Sequence, residues 1–317
     1  KKINNIRVNE GANMVIEKAQ SLTLNGDLIS KDNVVLESDS DEYASLIVTN
    51  FVVGNVQYKR FVNTTASSGG NDLIAPPVFG EAFDDFRTAN PNILSNSANT
   101  LFLFGPFDKV TDTYLLYSDT ETAPMYAGTG YRSASTDAST FTFTGLVNTR
   151  NVSVPIVNDG PNSPEWNLVG NPYPSYVKLS DFLAANSDQF DTQSAGIYGY
   201  DGDASNGWTI WNQAYSDMNS NAIIAPGQGF LVASATNNGQ INFTPTMRSI
   251  GSDDDFIAGR QETNSTIVHL QLELNNATEG NYKTDFYFTD NATNGLDFNY
   301  DASIFGGQAP SSFALYS

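Results

Sequence analysis

Cysteine is absent from the 317 residues, so no disulfide braces the chain and its stability rests on its core. That argues against eukaryotic secretion and leaves cytoplasm, periplasm and bacterial surface open. Basic residues are scarce: 15 Lys and Arg stand against 35 Asp and Glu, for a net charge of −20. Phosphate binding needs clustered Lys and Arg, so this balance excludes nucleic acid and anionic membranes as natural partners. Charged residues make up only 16%, well below the usual quarter. Histidine occurs once, as His269, inside an alternating segment, and no Ser-His-Asp arrangement forms around it. No long apolar run suggests a membrane span, and there is no signal peptide or lipid-anchor motif. Lys1-Lys2 opens the chain without a methionine, which reads as a mature or trimmed fragment.

What is present is polar and aromatic: Asn, Ser, Thr, Asp and Gly in quantity, with 12% Phe, Trp and Tyr. This mixture suits turns and half-buried strands, and the fold class it predicts is all-β. Chain length allows two domains. Over residues 1–58, short apolar runs such as Met14-Val15-Ile16, Val34-Val35-Leu36 and Leu46-Ile47-Val48 recur between Gly, Asn and Asp. Stacked rungs of a parallel β-solenoid explain the recurrence, and the first sheet of an ordinary sandwich is the alternative. Strict alternation over Val56–Val62 puts Val56, Tyr58, Arg60 and Val62 on one face and marks a new layer.

Residues 59–250 are predicted to form a jelly-roll-like β-sandwich, with residues 63–78 as loop and one helical turn at Ala82–Arg87. One short helix is expected near Lys178–Phe190, capped by Ser180. An acidic linker is placed at 251–265, and 266–317 start a second, truncated sandwich. There Ile267–Leu274 and Tyr282–Phe288 pair as a hairpin. The centre of organisation is the stretch from Trp166 to Phe230. Trp166-Asn167-Leu168-Val169-Gly170-Asn171-Pro172-Tyr173-Pro174-Ser175 opens it, and Ala225-Pro226-Gly227-Gln228-Gly229-Phe230 closes it with the signature of a type II turn.

These two segments, with Phe243-Thr244-Pro245-Thr246-Met247-Arg248 and the earlier Gly128-Thr129-Gly130-Tyr131, resemble the recurring core of large surface proteins exported by the type IX secretion system of Bacteroidota. Ser45-Leu46-Ile47-Val48 and Tyr58-Lys59-Arg60-Phe61 resemble the segment before that core. Asn294-Gly295-Leu296-Asp297 with Tyr300-Asp301-Ala302 resembles the domain after it. The resemblance implies an adhesin-like, non-enzymatic protein at the outer cell surface, some relatives being linked to gliding motility. The implied partners are the secretion translocon and external surfaces or glycans. A carbohydrate-binding accessory region of a polysaccharide-degrading enzyme is the alternative, and cargo held by the secretion machinery a third.

Two sites suggest themselves. Tyr200, Trp208, Trp211 and Tyr215 could form an aromatic platform for sugar rings, although alternation puts Trp208 and Trp211 on opposite faces, so at most one is exposed. Asp201, Asp203 and Ser205 alternate like the start of a structural calcium loop. Asn212 stands where the closing Glu should be, and a polar turn explains the same residues. Asp39-Asp41-Glu42 and Asp253–Asp255 are further acidic turns. Pro226-Gly227-Gln228-Gly229-Phe230 is no phosphate loop, for no Lys follows and a strand comes next.

Overall fold

A computed structural model describes residues 2–65, 71–162, 165–199, 208–252, 254, 267–276, 280–290 and 292–303. Strands dominate them, arranged in many small sheets. The protein is all-β. No described helix is long and apolar enough to cross a membrane.

The first eight strands are β1 (Lys2–Ile3), β2 (Ile6–Arg7), β3 (Met14–Ile16), β4 (Ser21–Leu24), β5 (Leu28–Ile29), β6 (Val34–Leu36), β7 (Ser45–Val48) and β8 (Val52–Val53). A longer strand, β9 (Val56–Val62), follows. They pair in parallel in three columns, β1-β4-β7, β2-β5-β8 and β3-β6-β9. Each column stacks equivalent residues, Leu22 on Leu46 for example. Leu24, Leu28, Val34, Leu36, Leu46 and Val48 point inward and are fully buried. Turn side chains stitch one layer to the next: Asn5 Oδ1 accepts the Asp27 N–H at 2.7 Å, and Asp27 Oδ1 accepts the Phe51 N–H at 3.2 Å. Lys18 reaches the acidic turn at Asp39, where it pairs with Asp39 and, at 3.6 Å, with Glu42.

Beyond β9 come β10 (Asp72–Ile74), α1 (Phe83–Ala89), β11 (Leu101–Phe102), β12 (Phe104–Gly105), β13 (Phe107–Asp108), β14 (Thr113–Tyr114), β15 (Tyr117–Ser118), β16 (Tyr131–Ser133) and β17 (Ser139–Gly145). On its free edge β9 pairs antiparallel with β17 from Val62–Ser139 to Val56–Gly145. One strand is therefore both the last parallel layer and the start of the next sheet, and the boundary expected after residue 58 falls inside it. Arg60 lies on its buried face, as alternation predicts, with its guanidinium 4.4 Å from the Tyr43 ring. A single core continues from the parallel columns into Phe83, Phe86, Phe104, Phe141 and Phe143. Phe86 stacks on Phe143 at 4.6 Å.

The chain then forms β18 (Val152–Ile156), β19 (Trp166–Gly170), β20 (Tyr176–Lys178), α2 (Leu179–Asn186), β21 (Ile197–Gly199), β22 (Thr209–Trp211), α3 (Gln213–Met218), β23 (Ile223–Ile224), β24 (Gly229–Ala233), β25 (Gly239–Phe243) and β26 (Arg248–Ser249). The pair β27 (Val268–Asn276) and β28 (Gly280–Phe288) is an antiparallel hairpin. Three sequence expectations are corrected. Residues 63–78 are not all loop, because β10 pairs with β16. Three α-helices rather than one occur among the described residues. Ser180 does not cap α2, which starts at Leu179 after an extended Lys178. β26 pairs with β20, and the Arg248 guanidinium donates to the Val48 carbonyl at 2.9 Å.

Residues 56–145 and 152–243 repeat one arrangement. In the first, β9 pairs with β17 and β10 with β16; in the second, β18 pairs with β25 and β19 with β24. The registers correspond residue by residue: Leu73 faces Arg132 as Leu168 faces Leu231, and Tyr58 faces Phe143 as Val152 faces Phe243. On the far side of each central strand, β12 pairs Gly105 with Arg132 where β21 pairs Tyr198 with Leu231. The helices correspond too: Asp85-Phe86…Ala89-Asn90 matches Asp181-Phe182…Ala185-Asn186. Asn90 donates to the Phe86 and Thr142 carbonyls and accepts from the Thr142 N–H. Asn186 does the same with Phe182 and Asn242. Each helix C-terminus, with its unpaired carbonyls, is thus fastened to a strand by one carboxamide.

The halves meet about a pseudo-twofold axis. Ala75 donates its N–H to the Gly227 carbonyl at 2.8 Å, and Gly170, its counterpart, donates to the Gly128 carbonyl at 2.9 Å. Bridges between Ile74 and Gln228 and between Thr129 and Val169 obey the same relation. Gly128 and Gly227 both have positive φ, 82° and 67°, as their tight turns require.

A half-buried acid, Glu81, sits in the first half. Glu81 accepts the Thr144 N–H at 3.0 Å. Burial pushes its pKa up to about 8; the Thr144 hydrogen bond opposes this, and the charge of Asp85 adds to it. Because the folded value exceeds the unfolded 4.5, the proton is held more tightly in the native state. The stability it confers is complete below the unfolded pKa and is lost as pH rises through about 8. Glu81→Gln should flatten the stability profile across that window and raise the melting temperature at pH above 8; urea melts at acid and alkaline pH would show it.

Candidate functional site

The sheet ordered β19-β24-β21-β22 is covered on both faces, which explains its continuous apolar runs. One face carries Val169, Phe230, Val232, Ile197 and Trp211 against Phe182 and Leu183 of α2. The other carries Trp166, Leu168, Leu231 and Tyr198 together with Leu73 from the first half. Over this second cluster lies a half-buried layer of Phe107, Tyr114, Trp208 and Ile210. Phe107 and Tyr114, from the β13–β14 hairpin, meet edge to face at 5.3 Å. A cation lies over each: Lys109 Nζ 5.8 Å from the Phe107 ring and the Arg132 guanidinium 4.7 Å from the Tyr114 ring. Lys109 also donates to the Trp166 carbonyl, and burial pulls its pKa down against the opposing pull of Glu165. Burial pushes the Tyr114 phenol up to about 12 although Arg132 works the other way, so its hydroxyl stays neutral at physiological pH.

The aromatic residues singled out from sequence are therefore divided. Trp208 belongs to the half-buried layer. Trp211 and Tyr215 do not form a platform: they are 2% and 6% exposed and stack face to face at 5.2 Å within the other core. Strand alternation turns Trp211 away from Trp208, and α3 then closes over it with Tyr215. Tyr200, Asp201, Asp203 and Ser205 lie outside the described residues. Asn212, where a calcium loop would need a Glu, caps α3 by accepting the Tyr215 N–H at 3.0 Å. Among the described residues no group of three or more His, Asp or Glu is placed to hold a metal ion. Sequence reasoning missed Phe107, Tyr114 and Arg132. The Gly105-Pro106 turn and the alternation in Tyr131-Arg132-Ser133 were the available signals.

A polar depression of about 410 Å³ near β20 is lined by Lys178, Ser180, Asn221, Ser249 and Gly251, among others, with no carboxylate or imidazole among the described residues of its wall. Its chemistry is that of a surface groove. His269, on the hairpin, is hydrogen-bonded to Asp285 at 2.6 Å and stacked on Tyr287 at 4.7 Å.

Fold and site define an all-β protein with a half-buried aromatic and cationic shelf. The family model described as "Domain of unknown function (DUF8693)" matches residues 1–317. The chain belongs to that family. No curated protein and no solved structure matches it.

Proposed function

We propose that this protein is a non-catalytic, adhesin-like module of the outer cell surface, exported by the type IX secretion system, which binds external glycans on the Phe107–Tyr114–Trp208 shelf. The observation that carries this reading is the shelf itself: three half-buried rings on a sheet packed from both sides. Sugar rings present apolar C–H faces that stack on such rings, and a stiff support lowers the entropy of capture. The acidic surface keeps the module soluble and away from nucleic acid. The motif series from Trp166 to Arg248, which resembles exported surface proteins, supports the location. The alternative, an accessory region beside a catalytic domain, uses the same shelf and differs in what the full gene encodes.

A glycan array probed with the purified chain tests the reading. Binding that falls by roughly tenfold in Trp208→Ala, about the worth of one stacked ring, is expected. Hydrolysis of a polysaccharide by the chain, or no difference between wild type and Trp208→Ala, would overturn it.

A further inference from the structure

We infer that the shelf takes an acidic polysaccharide and that Arg132 receives a carboxylate of its uronic acid residues; this rests on the glycan-binding reading above. The internal duplication carries the argument. Arg132 occupies the position that Leu231 holds in the other half, opposite Leu73 as Leu231 is opposite Leu168. Leu231 is a plain core residue, 1% exposed, so packing at this position asks for an aliphatic side chain. The first half instead places there a guanidinium that packing does not require. Among the described residues nothing accepts a hydrogen bond from it: its Nε is buried without a partner, and its guanidinium lies 4.7 Å from the Tyr114 ring centroid. The chain has 35 carboxylates, and none of the described ones pairs with this arginine.

A buried donor without an acceptor is costly, and the planar fork of five N–H groups fits a carboxylate in two parallel hydrogen bonds. Gly105 replaces the counterpart of Tyr198 beside it, so Tyr114, arriving from the neighbouring hairpin, becomes the ring over the guanidinium. Lys109 adds a second cation along the same row of rings. Rings for the sugar face and a fork for its carboxylate stand side by side. A neutral glycan would leave Arg132 unanswered, and an acidic peptide would make no use of the ring faces.

Calorimetric titration of the full chain with a galacturonic acid hexamer, a galactose hexamer and poly-glutamate tests the inference. The uronate oligomer should bind most tightly. Arg132→Leu installs the residue its counterpart carries, and should weaken uronate binding by roughly tenfold or more while leaving galactose binding and the melting temperature unlowered. Arg132→Gln, which keeps polar donors without charge, should fall equally and guards against a packing artefact in the leucine variant. Uronate affinity unchanged in both variants would overturn the inference while leaving the glycan reading intact if Trp208→Ala still weakens binding by roughly tenfold. Poly-glutamate bound as tightly as the uronate would overturn the choice of sugar. No binding of either hexamer would remove the glycan reading and this inference together.

Discussion

Replacing Asn171 with alanine should destabilise the protein by about 3–5 kcal/mol, on the basis of about 1–3 kcal/mol for each buried carbonyl left without a donor. Asn171 is fully buried. Its amide donates to the carbonyls of Ser175 at 2.8 Å, Ala225 at 2.9 Å and Ile224 at 3.3 Å, and its Oδ1 accepts the Tyr173 N–H at 3.0 Å. A single side chain thus ties the Asn-Pro-Tyr-Pro turn to the strand end that leads into the Pro226-Gly227 turn. Gln228 completes the link by accepting the Ala225 N–H at 2.7 Å. Asn171→Asp keeps the shape but turns the donor into an acceptor facing three carbonyls. It should fold no better than alanine, and worse as pH rises and the carboxyl ionises. Urea melts of both variants at two pH values give the comparison. A loss below about 1 kcal/mol would mean that water or rearranged backbone satisfies those carbonyls.

Gly229→Ala should have an effect of similar size from a different cause. A Cβ at Gly229 would lie 2.6 Å from the Leu73 carbonyl carbon and 2.7 Å from the Ile74 nitrogen, both backbone atoms that no rotamer change can move. This is where β24 of one half crosses β10 of the other, so relief requires the halves to part. Overpacking of a tight core costs about 1–3 kcal/mol, occasionally more, and backbone neighbours put this case at the upper end. Gly130, its counterpart, would meet the Leu168 side chain at 2.6 Å and the Val169 carbonyl at 2.8 Å. A side chain yields more readily, so Gly130→Ala should be the milder of the two. Gly11→Ala provides the control: nothing lies within 4 Å of its Cβ, and only the positive φ of 79° is penalised, by about 1 kcal/mol. Chemical denaturation of the three variants should rank them Gly229, Gly130, Gly11.

The duplication explains why these glycines matter and also why they escaped notice as a pair. Gly128-x-Gly130 and Gly227-x-Gly229 sit in equivalent turns, with Ala134-Ser135 and Ala233-Ser234 following at the same distance. Between the matching helices and the matching glycines, however, the halves run through different elements, β11 to β15 in the first and β21, β22, α3 and β23 in the second, and the spacing of matching residues drifts from 94 (Tyr58 to Val152) to 100 (Phe143 to Phe243). No fixed period results, and the matching residues are too few to stand out against a chain rich in Gly, Ser and Ala. Only the registers, Leu73 on Arg132 and Leu168 on Leu231, bring the halves into correspondence.

By itself the sequence determined the local elements. Alternation over Val56–Val62 placed Arg60 on the inner face, the Pro226-Gly227 pair set its turn, where Gln228 donates to the Ala225 carbonyl at 3.2 Å, and the hairpin from Val268 formed as the pattern required. These follow from backbone geometry and side-chain period, which neighbours in the chain decide. Tertiary structure decided which face of each strand was covered and by what. Trp211 and Tyr215 could be platform or core until α2 and α3 closed over them, and the three residues of β10 were indistinguishable from loop until β16 lay beside them. Arg132 was one more polar residue in a strand until the Tyr114 ring lay against its guanidinium. Burial and partnership come from contacts between residues a hundred positions apart, and no local pattern encodes which distant strand will arrive.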